Sequence, residues 1–254
     1  MIVVDLGNTN VVIGFFSNKK IIKFLRFNTN EFKFNKKVKL IINNNLKKIK
    51  SLSNINIVVL GSVVPSKNIE IKKISKNIGY KLINIENKNI FSKIHNTFDL
   101  VKDLGADRIA NTIAGLEFYG NNIIILDFGT ATTFDIIKKS KYIGGVISPG
   151  IQVSNNALSQ SASKLKTIKI KKNYNILGRN TEKAMQSGFY WGYVSLINGI
   201  ISKIIKQKKF KPKIILTGGL ANIFSKELKL NAIIDQNLTL NGLYHIGKIN
   251  VKSK

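Results

Sequence analysis

The chain opens with two aliphatic runs on either side of a short polar turn. Ile2–Val4 and Val11–Phe16 are apolar, whereas Asp5–Asn10 between them holds a carboxylate, a glycine and small polar residues. Short apolar runs bounded by turn residues are typical of buried strands. We therefore predict a strand–turn–strand hairpin, which a third strand over Lys20–Phe27 extends into an antiparallel meander.

The same pattern returns near the middle of the chain. Ile124–Asp135 repeats Ile2–Ile13, with three aliphatic residues before a carboxylate and a glycine in the turn. The matched positions are Asp127 with Asp5, Gly129 with Gly7, and Thr130 with Asn8. The repeat predicts two similarly built halves, each with one carboxylate at the end of its first strand.

A hairpin of this kind suits phosphate chemistry. A glycine in the turn lets backbone N–H groups approach an anion without an intervening side chain. The carboxylate can hold a cation that offsets phosphate charge. One copy alone would favour an ordinary turn, because Asp and Gly are common turn formers. Two aligned copies favour the phosphate site.

The remaining periodicity alternates between helices and strands. Helices are predicted over Glu31–Lys50, Lys67–Asn77, Leu104–Tyr119, Ile151–Ser161, Glu182–Gln207, Leu220–Leu230 and Leu238–Ile246, and strands over Ile57–Leu60, Lys81–Ile85, Lys141–Ile147, Ile214–Leu216 and Ala232–Ile234. Asn87–Asp103 is predicted to be an irregular surface connection. The prediction is an α/β fold of two related domains, 1–115 and 116–254, each a mixed sheet with helices.

Two further segments carry candidate chemistry. Asp107 and Arg108 lie in the first predicted turn of the helix that starts near Leu104. A carboxylate is favoured at a helix N-terminus, but an arginine gains nothing there and is placed to meet an anion. Thr217–Gly219 follows a predicted strand and suits the phosphate or ribose edge of a nucleotide.

Composition removes several classes of site. At 254 residues and 44% hydrophobic, the chain can bury a sizeable core. It has no cysteine, which excludes disulfides and thiolate metal sites, and His95 and His245 lack ligand spacing. The formal charge of +28 is spread along the chain together with abundant Asn and Ile, so AT-rich codon usage explains it better than nucleic-acid binding. Anionic small substrates would still benefit from the positive field.

The segment Ala184–Ser202 is uncharged and long enough to raise the question of a membrane span. Its glycines and polar residues fit a helix buried against another subunit or domain better than a lipid-facing one. Met1–Asn10 lacks the basic start and apolar run of a secretory signal. We predict a cytoplasmic protein with no membrane association.

Seven motifs together resemble those of the bacterial type III pantothenate kinases, of the acetate and sugar kinase, Hsp70 and actin superfamily. They are DLGNTN at Asp5–Asn10, GSVVPS at Gly61–Ser66, GADRIAN at Gly105–Asn111, DFGTATTFD at Asp127–Asp135, GGVISPG at Gly144–Gly150, GRNTEKAMQSG at Gly178–Gly188 and TGGLA at Thr217–Ala221. They stand in the family's order and span nearly the whole chain. The resemblance implies two related actin-like (ribonuclease H-like) domains.

The resemblance also implies an activity. Members of the family use ATP to phosphorylate pantothenate to 4′-phosphopantothenate, the first step of coenzyme A synthesis. It further implies a homodimer, Mg²⁺ with ATP, and a monovalent cation, either K⁺ or NH₄⁺. The uncharged helix Ala184–Ser202 is the candidate interface of that homodimer. Pantothenate and ATP would be the partners, with no nucleic acid.

The resemblance assigns roles residue by residue. The ATP-binding positions would be Asp5, Leu6, Gly7, Asn8, Thr9, Asn10, Val11, Val12 and Thr130, and the substrate-binding positions Phe98, Gly105, Ala106, Asp107, Arg108 and Thr181. Asp107 would be the proton acceptor and Asp127 the monovalent-cation ligand, while Asp5 would hold magnesium directly or through water. Phe98 stands where many members carry a substrate-facing tyrosine, so that hydroxyl is absent here. A proline often found before the GADR stretch is also missing.

Three other functions stay open at this point. The chain could be a catalytically silent regulatory accessory factor of the same fold, a nucleic-acid-binding protein suggested by charge alone, or another kinase or phosphatase of the superfamily. Retention of the charged positions Asp5, Asp107, Arg108 and Asp127 favours the enzyme.

Overall fold

The computed structural model describes residues 1–50, 56–86, 104–173 and 175–252. The strands are β1 Ile2–Leu6, β2 Asn10–Ser17, β3 Lys20–Asn28, β4 Ile57–Ser62, β5 Lys81–Asn84, β6 Ile123–Phe128, β7 Ala131–Lys138, β8 Lys141–Pro149, β9 Lys213–Gly218 and β10 Ala232–Ile234. The α-helices of the described residues are α1 Lys36–Lys50, α2 Asn68–Ile78, α3 Ala106–Tyr119, α4 Ile151–Ser161, α5 Thr181–Lys208, the single turn α6 Ala221–Phe224 and α7 Leu238–Lys252.

The two sheets have the same topology. In the first, the order is β3-β2-β1-β4-β5, and in the second it is β8-β7-β6-β9-β10. The leading strand of each sheet, β1 or β6, pairs with an antiparallel strand on one side and a parallel strand on the other. This confirms the predicted duplication and both antiparallel meanders.

The register of the two sheets repeats as well. Asp5 pairs with Val12 across the hairpin and with Gly61 on the parallel side. Asp127 pairs with Thr133 and Thr217 in the matching directions. The two carboxylates therefore occupy equivalent places in their own sheets.

The chain forms two compact units, and their limits depart from the division at residue 115. One unit comprises Met1–Phe118 with Asn237–Lys254, and the other comprises Tyr119–Gln236. The C-terminal helix belongs to the first unit because α7 packs on β1 and β4. Local periodicity can predict such a helix, but it does not say which sheet the helix covers.

The sheet of the first unit is covered on both faces. Ile2, Val4 and Leu6 of β1 lie in a core shared with buried residues of α1 and α2. On the opposite face, the Tyr244 ring of α7 stacks on Phe16 with centroids 4.6 Å apart. Burial on both faces explains why β1, β2 and β4 are continuous apolar runs, whereas the edge strand β3 is largely exposed.

The sheet of the second unit packs against α5 around a cluster of aromatic rings. Phe224 lies at its centre, with Phe128, Tyr190 and Tyr193 at ring centroid distances of 5.4, 5.8 and 6.3 Å. Asn180 caps α5, since its side chain accepts a hydrogen bond from the Lys183 backbone N–H. Asparagine is a preferred N-cap residue, so residue type alone indicates a cap at this position.

Tyr119 and Asp235 lie next to the two points where the chain passes between the units. The Tyr119 hydroxyl donates to Asp235 Oδ2 over 2.9 Å. Burial, followed by this hydrogen bond, raises the pKa of Tyr119 to about 12. The hydroxyl therefore keeps its proton and stays a donor over the physiological pH range.

Several predicted element bounds change in the structure. The helix predicted over Leu220–Leu230 is the single turn α6 followed by a 3₁₀ turn at Ser225–Glu227. The Asn198 side chain ends it, because its Nδ2 donates to the Glu227 carbonyl and its Oδ1 accepts from Lys229 N–H. The connection predicted over Asn87–Asp103 lies outside the described residues.

Two other helices differ at one end from their prediction. The helix predicted from Glu31 starts at Lys36, where the Asn35 side chain accepts from Val38 N–H. The helix predicted to end at Ile246 continues to Lys252. In the described residues, no helix combines the length and apolar character needed to cross a bilayer.

We predict that Leu243→Ala lowers the free energy of unfolding by about 3 kcal/mol, within the usual range for a buried leucine. Leu243 on α7 is fully buried against the first sheet, so its loss leaves a cavity. Leu40→Ala is the matched control, since Leu40 on α1 is 62% exposed, and its effect should stay within about 0.5 kcal/mol. Urea denaturation measures both values, and equal effects would contradict the packing of α7.

Candidate functional site

The first hairpin presents a tight turn beside a half-buried carboxylate. Asp5 is the penultimate residue of β1, and Asn8 and Thr9 in the turn are exposed. The Gly7 backbone N–H donates to the Asn10 carbonyl over 2.9 Å, and a Cβ atom built on Gly7 would lie 3.3 Å from that oxygen. The turn thus leaves little room for a side chain at its first residue.

Thr29, the residue after β3, stabilises this turn through two hydrogen bonds. Its Oγ1 donates to the Gly7 carbonyl over 2.7 Å, and its backbone N–H donates to the Thr9 carbonyl over 3.0 Å. Thr29 is only 2% exposed. Thr29 was not among the predicted site residues, although the meander pairs Asn10 with Asn28 and so brings the next residue beside the turn.

The second hairpin also has a glycine N–H that donates across its turn, although to a carbonyl two residues on instead of three. Asp127 is half-buried near the end of β6, and Thr130 is exposed in the turn. The Gly129 N–H donates to the Ala131 carbonyl over 3.1 Å, and the Gly150 N–H donates to the Thr130 carbonyl over 3.1 Å. A Cβ atom built on Gly150 would lie 2.3 Å from the Thr130 carbonyl oxygen. Only glycine at position 150 permits this close backbone contact.

Two glycines also flank the Asp127 carboxylate. A Cβ atom would lie 3.8 Å from Asp127 Oδ1 if built on Gly129, and 2.6 Å if built on Gly218. Gly218 has a φ of +86°, a backbone conformation that suits glycine. The carboxylate thus stands in a space bordered by backbone, next to the predicted Thr217–Gly219 turn.

This donor set fits a hard cation. Mg²⁺ and K⁺ prefer oxygen ligands, which here are one carboxylate and neighbouring backbone carbonyls. No three histidine, aspartate or glutamate side chains come together to hold a metal ion in the described ranges. Any cation at Asp5 or Asp127 would therefore complete its shell with backbone, water or phosphate oxygens, as magnesium does in many kinases.

The start of α3 lies close to the first hairpin within the same unit. The Val63 backbone N–H donates to the Leu6 carbonyl over 3.0 Å. A Cβ atom built on Gly105 would lie 3.7 Å from Val63 Cγ1 and 2.7 Å from Asp107 Oδ1. Val63 thus separates the end of β1 from Gly105, and the absence of a side chain at Gly105 leaves room for the Asp107 carboxylate.

Asp107 and Arg108 are both half-buried in the first turn of α3. The Arg108 backbone N–H donates to Asp107 Oδ1 over 2.8 Å. A carboxylate in this place is stabilised by the unpaired N–H groups of a helix N-terminus.

The predicted site residues divide between the two units. Asp5–Val12 and Gly105–Arg108 lie in the first unit, and Asp127, Thr130 and Thr181 in the second. The side chains of Leu6, Val11 and Val12 are buried in the sheet, so these three could offer a ligand only their backbone. Phe98 lies outside the described residues.

Thr181 is the exposed first residue of α5. The segment before Thr181 packs closely on α5 at Gly178, because a Cβ atom there would lie 2.2 Å from the Ala184 backbone nitrogen. The Ser187 hydroxyl donates to the Ile176 carbonyl and ties the same segment to α5. The hydroxyl of Thr181 is therefore presented on a well-anchored helix start.

Solved structures with this architecture define the class of fold. A Campylobacter jejuni protein described as a conserved Baf family transcriptional activator matches with a TM-score of 0.63 and 23% identity, covering 99% of this chain and 100% of that one. A ROK family glucokinase from Streptomyces griseus, in complex with glucose and AMPPNP, matches with a TM-score of 0.54 and 12% identity over 99% of this chain and 98% of that one. The fold is that of the duplicated actin-like domains of sugar kinases, as predicted.

Sequence comparison then gives the family. The profile of the type III pantothenate kinases matches residues 1–203. A type III pantothenate kinase from Halalkalibacterium halodurans is 37% identical over 253 residues, covering 99% of this chain and 100% of that protein. The chain belongs to the type III pantothenate kinase family.

Family membership confirms the predicted activity, the ATP-dependent phosphorylation of an alcohol group of pantothenate at the start of coenzyme A biosynthesis. None of these comparisons favours a catalytically silent accessory factor. The likeness to the Campylobacter protein, at 23% identity, concerns the fold alone.

We predict that Gly218→Ala lowers the free energy of unfolding by about 2 kcal/mol, the usual cost of a strained backbone conformation. The new methyl group would combine a φ of +86° with contacts of 2.6 Å to the Phe128 backbone nitrogen and to Asp127 Oδ1. Gly219→Ala is the matched control, because no atom lies within 4 Å of its built Cβ. Denaturant unfolding compares the two, and a Gly218→Ala variant as stable as the control would contradict the geometry.

Proposed function

We propose that the two hairpins hold the phosphates of ATP while Asp107 acts as the catalytic base on pantothenate. The observation that carries this proposal is the equivalent placement of Asp5 and Asp127 at glycine turns in two sheets of identical topology. In the proposal, the segment Asp5–Val12 and Thr130 contact the nucleotide. The backbone N–H groups and small polar side chains of the turns would donate to phosphate oxygens.

Phosphoryl transfer needs positioning, charge neutralisation and a base. In the proposed step, Asp107 accepts the proton of the pantothenate hydroxyl as its oxygen forms a bond to the γ-phosphorus. The bond between that phosphorus and the β-phosphate oxygen breaks, and ADP leaves. Arg108 would stabilise negative charge on the substrate or on the transferred phosphate. The space left by Gly105 supports this role for the neighbouring Asp107 carboxylate.

Two cations complete the proposed site. Asp5 would hold magnesium directly or through water, and Asp127 would bind K⁺ or NH₄⁺ in the space bordered by Gly129 and Gly218. Bound cations supply positive charge that offsets the phosphates. Pantothenate itself would contact Gly105–Arg108, Thr181 and Phe98.

We further propose a homodimer formed through α5. The exposed face of this helix carries Ala184, Gly188, Gly192, Ser195 and Gly199, and an apolar groove beside it is lined by Leu158, Met185, Gly188, Phe189, Gly192, Tyr193 and Leu196. An apolar groove flanked by small residues lets a second helix approach closely, which supports an interface. We also propose a cytoplasmic location, where ATP is available, and no nucleic-acid partner.

The test of the function is ATP consumption by the purified protein with pantothenate, in the presence and absence of K⁺. We predict formation of 4′-phosphopantothenate that depends on a divalent cation and is stimulated by the monovalent one. ATP turnover that ignores pantothenate would overturn the assignment of substrate. Turnover that is independent of K⁺ and NH₄⁺ would overturn only the role of Asp127.

We predict that Asp107→Asn lowers kcat by at least about 100-fold, the low end for loss of a general base. The amide keeps the size of the side chain but cannot accept the proton. Circular dichroism should show an unchanged fold, and KM for ATP should stay within about twofold because Asp107 is not proposed to contact the nucleotide. A nearly normal kcat would remove Asp107 from the role of base.

We predict that Gly192→Arg converts the protein to a monomer. Gly192 is exposed in the apolar groove with no atom within 4 Å of its built Cβ, so arginine fits the isolated chain but places a charge in the interface. Gln207→Arg is the control, since Gln207 is exposed on the same helix outside the groove. Sedimentation velocity measures the mass, and a wild-type monomer or a dimeric Gly192→Arg would contradict the interface.

A further inference from the structure

The helix that carries Asp107 is crossed at backbone distance by the C-terminal helix. A Cβ atom built on Gly242 of α7 would lie 1.9 Å from the Ala110 carbonyl oxygen and 2.9 Å from Ala110 Cα. No side chain fits at this crossing, so the two backbones are in direct contact. A small displacement of α7 would therefore move α3.

A buried polar contact fastens the same crossing. Asn111 on α3 is fully buried, and its Oδ1 accepts a hydrogen bond from the Thr239 hydroxyl of α7 over 2.8 Å. Asn111 follows Asp107 by one helical turn, and residues four apart lie on the same helix face. The hydrogen bond therefore acts on the face of α3 that carries the proposed base.

At its other end, α3 also meets α7. His245 Nδ1 lies 3.7 Å from Glu117 Oε1, and its ring meets the Phe118 ring edge-on with centroids 5.1 Å apart. The crossing at Gly242 and the Asn111–Thr239 hydrogen bond lie nearer to Asp107. Apolar and ring contacts tolerate sliding, whereas a hydrogen bond of 2.8 Å loses its energy when its atoms separate. Among these contacts between α3 and α7, the Asn111–Thr239 hydrogen bond is therefore the one that depends most on the position of α3 along α7.

The same helix α7 also rests on β1 and on its parallel neighbour β4. A Cβ atom built on Gly61 would lie 2.8 Å from Leu243 Cδ2, and Gly61 pairs with Asp5 in the sheet register. A Cβ atom built on Gly247 of α7 would lie 2.6 Å from Val59 Cγ2 of β4. One rigid helix thus touches both the strand end beside Asp5 and the helix that presents Asp107.

We propose that Asn111 and Thr239 are positioning residues for the phosphoryl transfer. Their hydrogen bond sets the place of α3 relative to β1, and thereby the distance between the Asp107 carboxylate and the substrate hydroxyl. The inference rests on the proposed role of Asp107 as base. A misplacement of about 1 Å can cost up to 100-fold in rate, which is why a contact remote from the chemistry matters.

The primary test is Thr239→Val, which removes the hydroxyl and keeps the volume. Thr239 is half-buried, so the methyl group is tolerated. We expect kcat to fall by about 10-fold or more, while KM for ATP stays within about twofold. Thr239→Ser should restore kcat, because it keeps the donor. The control is Asn250→Ala, which removes a hydrogen bond to Ile246 within α7 instead of one to α3, and should leave kcat unchanged.

A double-mutant cycle separates positioning from general damage to the structure. If Thr239 acts through Asp107, Thr239→Val should cause no further loss of kcat in the Asp107→Asn background. The positioning role would be overturned if the double variant lost kcat by the product of the two single losses, or if Thr239→Val alone kept a normal kcat. Either result would leave Asp107 as base. If Asp107→Asn alone keeps normal kcat, the proposed base and the positioning inference both fall.

Discussion

The structure depends on one constraint: in each sheet, the leading strand lies between an antiparallel and a parallel neighbour. The antiparallel partner follows the leading strand through a glycine turn. The parallel partner ends beside the carboxyl end of the leading strand. The carboxyl end of the leading strand therefore lies between the glycine turn and the end of the parallel strand. The carboxyl ends of strands are where α/β sheets bind ligands. Asp5 and Asp127 occupy this place, and repetition of the constraint gives the protein two equivalent carboxylates, each beside a glycine turn.

Close backbone contacts at glycine occur in the second hairpin, beside Asp127 and where α7 crosses α3. Gly150, Gly218 and Gly242 each stand where a Cβ atom would come within 2.6 Å of another segment. Such contacts bring backbone donors and carbonyls to a ligand or to a neighbouring helix at distances that no side chain would permit. These contacts have a cost, because glycine in a helix or strand contributes little to the stability of that element.

Much of the fold and of the candidate site could be predicted, because the signals are local. Short apolar runs bounded by turn residues predicted the strands, and the repeat of Asp5 by Asp127 predicted the duplication that the topology confirms. The N-cap at Asn180 followed from residue type alone. Thr29 was missed because its contact with the turn joins residues that are distant in the sequence. The helix predicted over Leu220–Leu230 was too long because Asn198, on another helix, bonds the backbone of Glu227 and Lys229.

The sequence by itself determined which elements form, that they form twice, and which acidic and glycine residues stand at the strand ends. Only the tertiary structure decided that α7 covers the first sheet and crosses α3 at Gly242, and that Thr239 meets Asn111. The physical reason is that periodicity and turn chemistry act over a few neighbouring residues. The choice of packing partner depends on the shapes of surfaces that exist only when the chain has folded.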